Sequence, residues 1–113
     1  MLYHLTTPDE WTRAQAEGQV APASLAREGF VHASAWAQLP GTLARWFAGV
    51  DEVVLLAFDP AGQDVRWEPV RDERYPHLYG PLPLGAVRGA TPLRRGPDGS
   101  FLLPPGGEVA SPA

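Results

Sequence analysis

Polar and apolar positions in the first part of the chain change between the period of a strand and that of a helix. Alternation over Leu2–Thr6 predicts a short strand that carries His4 and Thr6 on one face. The residues that follow are those of a capped helix: Thr7 at the N-cap, Pro8 in the first turn and Gly18 just past the end. We therefore predict a helix from about Pro8 to Glu17.

The middle of the chain predicts a second strand, a second helix and a central strand. A possible helical turn at Ala23–Ala26 precedes a strand over Gly29–Ser34. The stripe formed by Leu39, Leu43, Trp46 and Phe47 has helical spacing and predicts a helix over about Pro40–Ala48. The apolar run Glu52–Phe58 predicts a strand covered on both faces.

The last part of the chain predicts strands joined by turns and loops. The predicted strands are Val65–Val70, Tyr75–Leu82, Leu84–Ala90 and Phe101–Leu103, with a charged loop over Arg71–Arg74. The predicted helices lie in the first half of the chain and most of the predicted strands in the second half. This order indicates an α+β protein with a mixed or split sheet. We expect residues 1–104 to form a single domain, and residues 105–113 to be a disordered tail because Pro, Gly, Ser and Ala dominate there.

Composition excludes several classes of site. The chain has 113 residues, a formal net charge of −4 and no cysteine, and all nine of its cationic residues are arginine. Disulfides, thiolate nucleophiles, Schiff-base lysines and a Walker-type phosphate loop are therefore excluded. The acidic balance argues against a nucleic-acid binder with a broad basic face. With no predicted signal peptide and no apolar run long enough for a membrane span, we expect a soluble cytoplasmic protein.

The three histidines are the main candidates for chemistry. His4, His32 and His77 each lie in a predicted strand, and the first two are followed two residues later by Thr6 and Ser34. A single strand histidine is more often structural than functional, but three of them beside hydroxyls and tyrosines make a site about as plausible as a structural role. The sequence leaves open a zinc-binding triad and a pocket for a nucleotide.

Charged residues add further candidates, each with a simpler interpretation. Arg27, Arg66 and Arg88 could clamp a phosphate, although each is more simply solvated surface. Glu68 lies near Trp67 and could have a raised pKa and an acid–base role. Its simpler interpretation is an edge residue that pairs with an arginine. The four tryptophans are most simply packing residues.

Several linked motifs resemble the small bacterial family called domain of unknown function 952. They occur in order from Met1 to about Pro104 and are Leu2-Tyr3-His4-Leu5-Thr6, Trp11, Ser24-Leu25, Glu28-Gly29-Phe30-Val31-His32-Ala33-Ser34, Gln38, Val65-Arg66-Trp67-Glu68-Pro69 and Tyr75-Pro76-His77-Leu78-Tyr79-Gly80-Pro81-Leu82. This resemblance implies a fold like that of ADP-ribosyltransferases, with two or three short helices and a split, strongly bent, mixed or antiparallel sheet that forms a cleft for NAD.

The resemblance also implies roles for individual residues. His4 with Thr6 would contact the ribose, His32 with Ser34 would lie near the nicotinamide, and His77 would face the same cleft. The implied catalytic residues are thus His4, His32 and His77. The implied ligand-binding residues are Thr6, Ser34, Tyr79, Arg66 and Glu68. Many transferases of this fold have a glutamate in a late strand. The matching strand of this chain has His77 instead, and Glu68 lies one strand earlier.

Three functions follow as hypotheses. The first is a protein that binds NAD or an ADP-ribosyl compound and cleaves or transfers at the nicotinamide–ribose bond, with NAD as substrate and no metal. Alanine at His4 or His32 is then expected to abolish nucleotide binding and to leave the fold intact. The second is a non-enzymatic module for a small ligand or a partner. The third is a metal-dependent hydrolase. The sequence does not indicate the oligomeric state, the acceptor or the pathway.

Overall fold

The computed structural model describes residues 1–104 and contains nine strands and three α-helices over that range. The strands are β1 (Leu2–Thr6), β2 (Gln19–Val20), β3 (Val31–His32), β4 (Val53–Phe58), β5 (Val65–Val70), β6 (Glu73–Leu78), β7 (Leu82–Pro83), β8 (Val87–Arg95) and β9 (Phe101–Leu102). The helices are α1 (Pro8–Glu17), α2 (Ala23–Glu28) and α3 (Leu39–Trp46). The predicted disordered tail at residues 105–113 lies outside the described residues.

The sheet is antiparallel and strongly curled, and it splits between β1 and β3. One part has the strand order β1-β4-β8-β9, another has the order β3-β6-β5, and β2 pairs with β7. Tyr3 and Ser34 join the first two parts because they exchange both backbone hydrogen bonds, at 2.9 and 2.8 Å. Just before Ser34, His32 pairs with His77 of β6 instead of with β1. The predicted α+β class is confirmed, and the antiparallel alternative for the sheet is correct.

Helix α1 has the predicted bounds and the predicted caps. The Thr7 hydroxyl accepts a hydrogen bond from the backbone N–H of Glu10 at 3.3 Å. Gly18 ends the helix with φ of 84°, a left-handed conformation that glycine adopts without steric cost. The helix packs Ala14 and Trp11 against the core on the face of β1 that carries His4.

Strand β4 is the centre of the structure, as its continuous apolar run predicts. All six of its residues are buried. Val54, Leu56 and Phe58 pack in one core with Leu2, and the alternate residues pack in a second core with Tyr3. The two faces of β1 and β4 therefore contribute to two separate cores, which fixes the register of β1 and the position of His4 opposite Leu56.

Several predicted boundaries are wrong. The stretch Tyr75–Leu82 is not one strand, because Gly80 has φ of 134° and separates β6 from β7. The predicted loop Arg71–Arg74 already enters β6 at Glu73, and the predicted strand Leu84–Ala90 begins as a 3-10 turn over Leu84–Ala86. The turn at Ala23–Ala26 extends into α2. The predicted strand over Gly29–Ser34 is shorter in the structure, where only β3 and the single bridge at Ser34 form. The predicted helix over Pro40–Ala48 corresponds to α3.

Arg95 fixes the segment that follows α3. Its guanidinium donates hydrogen bonds to the carbonyl oxygens of Phe47, Ala48 and Val50, and it also packs over the ring of Phe101. These carbonyls belong to the C-cap of α3 and to the loop that follows it, so Arg95 joins this loop to β8. Arg95 thereby holds the end of α3 in place. Within residues 1–104, no helix is both long and apolar enough to cross a bilayer.

Candidate functional site

A cleft of about 480 Å³ opens at the split between β1 and β3. It is enclosed by β1, β3 and β6 and by parts of all three helices. Its lining is formed by Tyr3, His4, Leu5, Thr6, Thr7, Glu10, Pro22, Ser24, Arg27, Glu28, His32, Ala33, Ser34, Thr42, Arg45, Trp46, Phe47, Val70, Tyr75 and His77. The structure therefore brings together five of the eight predicted catalytic and ligand-binding residues: His4, Thr6, His32, Ser34 and His77.

His4 is buried at the split and bridges the two parts of the sheet. Its Nδ1 lies 2.7 Å from the carbonyl oxygen of His32. A carbonyl can only accept, so Nδ1 carries the proton and Nε2 is left with a free lone pair. Burial lowers the pKa of His4, although the bond to the His32 carbonyl opposes this effect. The ring is therefore neutral near pH 7, and its buried Nε2 has no hydrogen-bond partner among the described residues.

His77 is the second buried imidazole of the cleft. Its Nδ1 lies 2.9 Å from Oε1 of Glu68, and the ring of Phe30 stacks on it at 4.0 Å between centroids. The residue is only 5% exposed, and within the described part of the chain its Nε2 also lacks a hydrogen-bond partner. Two buried nitrogen atoms on residues that line one cleft thus lack a hydrogen-bond partner among the described residues, which is uncommon because buried polar atoms are usually paired.

His32 lies opposite His77 and is more exposed than the other two histidines. Its side chain is 54% exposed, and its Nε2 lies 3.1 Å from Oε1 of Glu28, one turn earlier in the chain. The hydrogen bond from His32 lowers the pKa of Glu28, with a further contribution from the charges of His32 and Arg27. Two histidines thus have carboxylate partners, which the sequence analysis did not predict because the contact of Glu68 with His77 depends on the register of the β5–β6 hairpin and that of Glu28 with His32 on the turn between α2 and β3.

The two predicted hydroxyls are buried beside the histidines. Thr6 donates to Oε2 of Glu10 at 3.3 Å. Thr42 donates to the carbonyl oxygen of Gln38, so the 3.2 Å contact between Ser34 and Thr42 has Ser34 as its donor. Both hydroxyl oxygens retain lone pairs that can accept a hydrogen bond from a ligand.

Three predicted ligand-binding residues do not line the cleft. Glu68 accepts hydrogen bonds from His77 and, at 2.6 Å, from the hydroxyl of Tyr79. Arg66 lies over the ring of Tyr79, with its guanidinium carbon 4.2 Å from the ring centroid, and is held by Asp64. These residues form a network behind His77. The expectation of a raised pKa for Glu68 is wrong, since its bonds from Tyr79 and His77 lower it.

The arginines of the cleft agree only in part with those predicted. Arg27 lines the cleft, but Arg88 contacts Asp59 and the carbonyl oxygen of Gly85 away from it. Arg45 lines the cleft and has no ion pair with another described residue, and the neighbouring Trp46 is 65% exposed. Neither residue was predicted as part of a site: Trp46 fits the apolar stripe of α3, and Arg45 has no distinguishing motif. Their position in the last turn of that helix was the signal in the sequence that could have indicated exposed side chains.

Within residues 1–104, no group of three His, Cys, Asp or Glu side chains is arranged to hold a metal ion.

Comparison with known proteins identifies one family and one set of solved structures. The family described as "Protein of unknown function (DUF952)" matches residues 5–90. The crystal structure of protein CC0527 from Caulobacter crescentus is 37% identical and has a TM-score of 0.81, over 89% of this chain and 92% of that one. The solution NMR structure of CC0527 is 38% identical, with a TM-score of 0.76 over 88% and 89% of the two chains. No curated protein matches the chain.

Proposed function

The chain belongs to the DUF952 family of proteins of unknown function, and from that premise we propose that its cleft binds NAD or another ADP-ribosyl compound and cleaves the nicotinamide–ribose bond. A relationship to the ADP-ribosyltransferase fold is part of this proposal. It is supported by the curled, split sheet, since the cleft for NAD lies at such a split in that fold. The cleft volume of about 480 Å³ also lies in the usual range for small-ligand sites.

The two free imidazole nitrogens carry the proposal. Nε2 of His4 and Nε2 of His77 are buried and accept but do not donate, because the other nitrogen of each ring holds the proton. A ligand that satisfies both must therefore present donors. The hydroxyl groups of a ribose, and a water molecule held beside it, are such donors, and the free lone pairs of Thr6 and Ser34 add acceptors for the same kind of group.

The remaining parts of a nucleotide match the rim of the cleft. Arg27 and Arg45 can pair with a diphosphate through charge-assisted hydrogen bonds, and the exposed ring of Trp46 offers a face on which a base can stack. Glu10 and Glu28 also line the cleft and would repel phosphates. We therefore expect the diphosphate on the side of Arg45, which has no acidic partner among the described residues.

The proposed diphosphate contact predicts a specific loss of affinity. Replacing Arg45 by Gln is expected to weaken ADP-ribose binding about tenfold, because a charge-assisted hydrogen bond is removed. Isothermal titration calorimetry on wild type and Arg45→Gln measures this. Arg94→Gln is the matched control, since Arg94 is an exposed arginine of β8 that does not line the cleft. No binding of ADP-ribose to the wild type at millimolar concentration, or equal losses in the two variants, would contradict the proposal.

Binding without turnover is the second candidate function. It is favoured by the position of Glu68, which faces His77 and Tyr79 and does not line the cleft. Glu68 thus does not make the direct ribose contact that transferases of this fold obtain from a late-strand glutamate. Release of nicotinamide from NAD separates the two candidates, because a binding module would bind ADP-ribose and release none.

A further inference from the structure

The hydrogen bond between Glu68 and His77 determines which nitrogen of His77 carries the proton. An ionised carboxylate only accepts, so the 2.9 Å contact assigns the proton to Nδ1. Glu68 is ionised near pH 7, because hydrogen bonds from Tyr79 and His77 lower its pKa. In that tautomer of His77 the free lone pair lies on Nε2, which can accept a proton.

The ring of His77 is also fixed in orientation. Phe30 stacks nearly parallel to it, with an interplanar angle of 15°, and the ring of His32 meets it edge-on at 5.4 Å between centroids. Glu68 is in turn held by Tyr79, whose ring lies beneath the guanidinium of Arg66. An imidazole that is oriented by a carboxylate, with its other nitrogen free, is the arrangement of a general base.

We propose that Glu68 is a positioning residue that holds His77 in the tautomer with the proton on Nδ1, so that Nε2 of His77 acts as the general base for hydrolysis of NAD by water. This inference rests on the proposed function and adds to it the acceptor, which is water, and the base. In this proposal Glu68 differs from the late-strand glutamate of transferases of this fold, because it acts through His77 and does not contact the ribose itself.

The step is balanced with water as the only co-reactant. Water attacks C1 of the nicotinamide ribose, the new C–O bond forms, and the bond between C1 and the nicotinamide nitrogen breaks. The electron pair of that bond leaves with nicotinamide, which becomes neutral. The proton of the attacking water moves to Nε2 of His77, where Glu68 stabilises the resulting imidazolium, and is then lost to solvent. The products are ADP-ribose, nicotinamide and one proton.

The tautomer of His77 tests the positioning role without any ligand. Nitrogen-15 NMR of the wild-type imidazoles is expected to show a roughly tenfold excess of the Nδ1–H form of His77, which Glu68→Ala removes. Glu73→Ala is the matched control, because Glu73 accepts a hydrogen bond from Tyr75 at 2.8 Å on the same hairpin but has no contact with His77 among the described residues. An unchanged tautomer in Glu68→Ala overturns the inference, whatever the ligand proves to be.

The rate of nicotinamide release tests the base role. Loss of general-base catalysis in Glu68→Ala is expected to lower kcat for NAD about 100-fold, while the Kd for ADP-ribose rises by no more than the loss of one hydrogen-bond acceptor allows, about tenfold. A switched tautomer with unchanged kcat overturns the base role and leaves the binding proposal standing. If the wild type neither binds ADP-ribose nor releases nicotinamide, the proposed function fails together with the hydrolysis step.

Discussion

Replacing His4 by alanine is expected to lower the free energy of unfolding by about 2–3 kcal/mol. The change removes a buried ring and leaves the carbonyl oxygen of His32 without its 2.7 Å hydrogen bond at the split of the sheet. Removal of the unpaired Nε2 offsets part of the loss, which keeps the expected effect below that of the largest core truncations. Chemical denaturation monitored by circular dichroism measures the difference.

This result would revise the expectation that alanine at His4 leaves the fold intact. His4→Asn is the matched control, because the asparagine side-chain N–H₂ group can take the place of Nδ1 and donate to the same carbonyl. We expect His4→Asn to recover at least half of the stability lost in His4→Ala while lacking an acceptor at the position of Nε2. Equal stability of His4→Ala and wild type would contradict the structural role at the split.

Acidification is expected to destabilise the protein through His4. Burial holds the pKa of His4 in the folded state below its ordinary value of 6.5. The unfolded chain therefore binds more protons as the pH falls through 6.5, and stability that is complete above this value is lost below it. Between about pH 7.5 and about pH 5.5, this single group progressively lowers the free energy of unfolding, by at most about 1.4 kcal/mol per pH unit.

The contribution of His4 is isolated by comparing the wild type with His4→Asn over the same pH range. Urea denaturation at each pH should give curves of stability against pH that converge as the pH falls, since only the wild type carries the buried imidazole. The carboxylates with lowered pKa values, such as Glu28 and Glu68, affect stability at more acidic pH and are common to both proteins. Parallel curves would contradict a buried, neutral His4.

Local signals were sufficient to predict the elements on which the site is built. Helix α1 has both of its caps in the sequence, and the continuous apolar run of β4 predicted a strand buried on both faces. The alternation in β1 placed His4 and Thr6 on one face. The three histidines were singled out by their strand positions, and the structure brings all three to one cleft.

Long-range contacts decided the rest and could not be predicted from local patterns. The split of the sheet depends on pairing between Tyr3 and Ser34 and between His32 and His77, which are distant in the chain. The partnership of Glu68 with His77 depends on the register of the β5–β6 hairpin. Trp46 has helical apolar spacing with Leu39 and Leu43, but only these two are buried, because α3 ends at Trp46.

An NMR titration of the three imidazoles with ADP-ribose, and separately with NAD, tests the central claim most directly. The chain has only three histidines, so each imidazole signal can be assigned by single substitution. We expect the Nε2 resonances of His4 and His77 to shift together with the signals of His32, and all three to give one common Kd. If no imidazole signal shifts at millimolar ligand, the cleft does not bind an ADP-ribosyl compound and the proposed function is wrong.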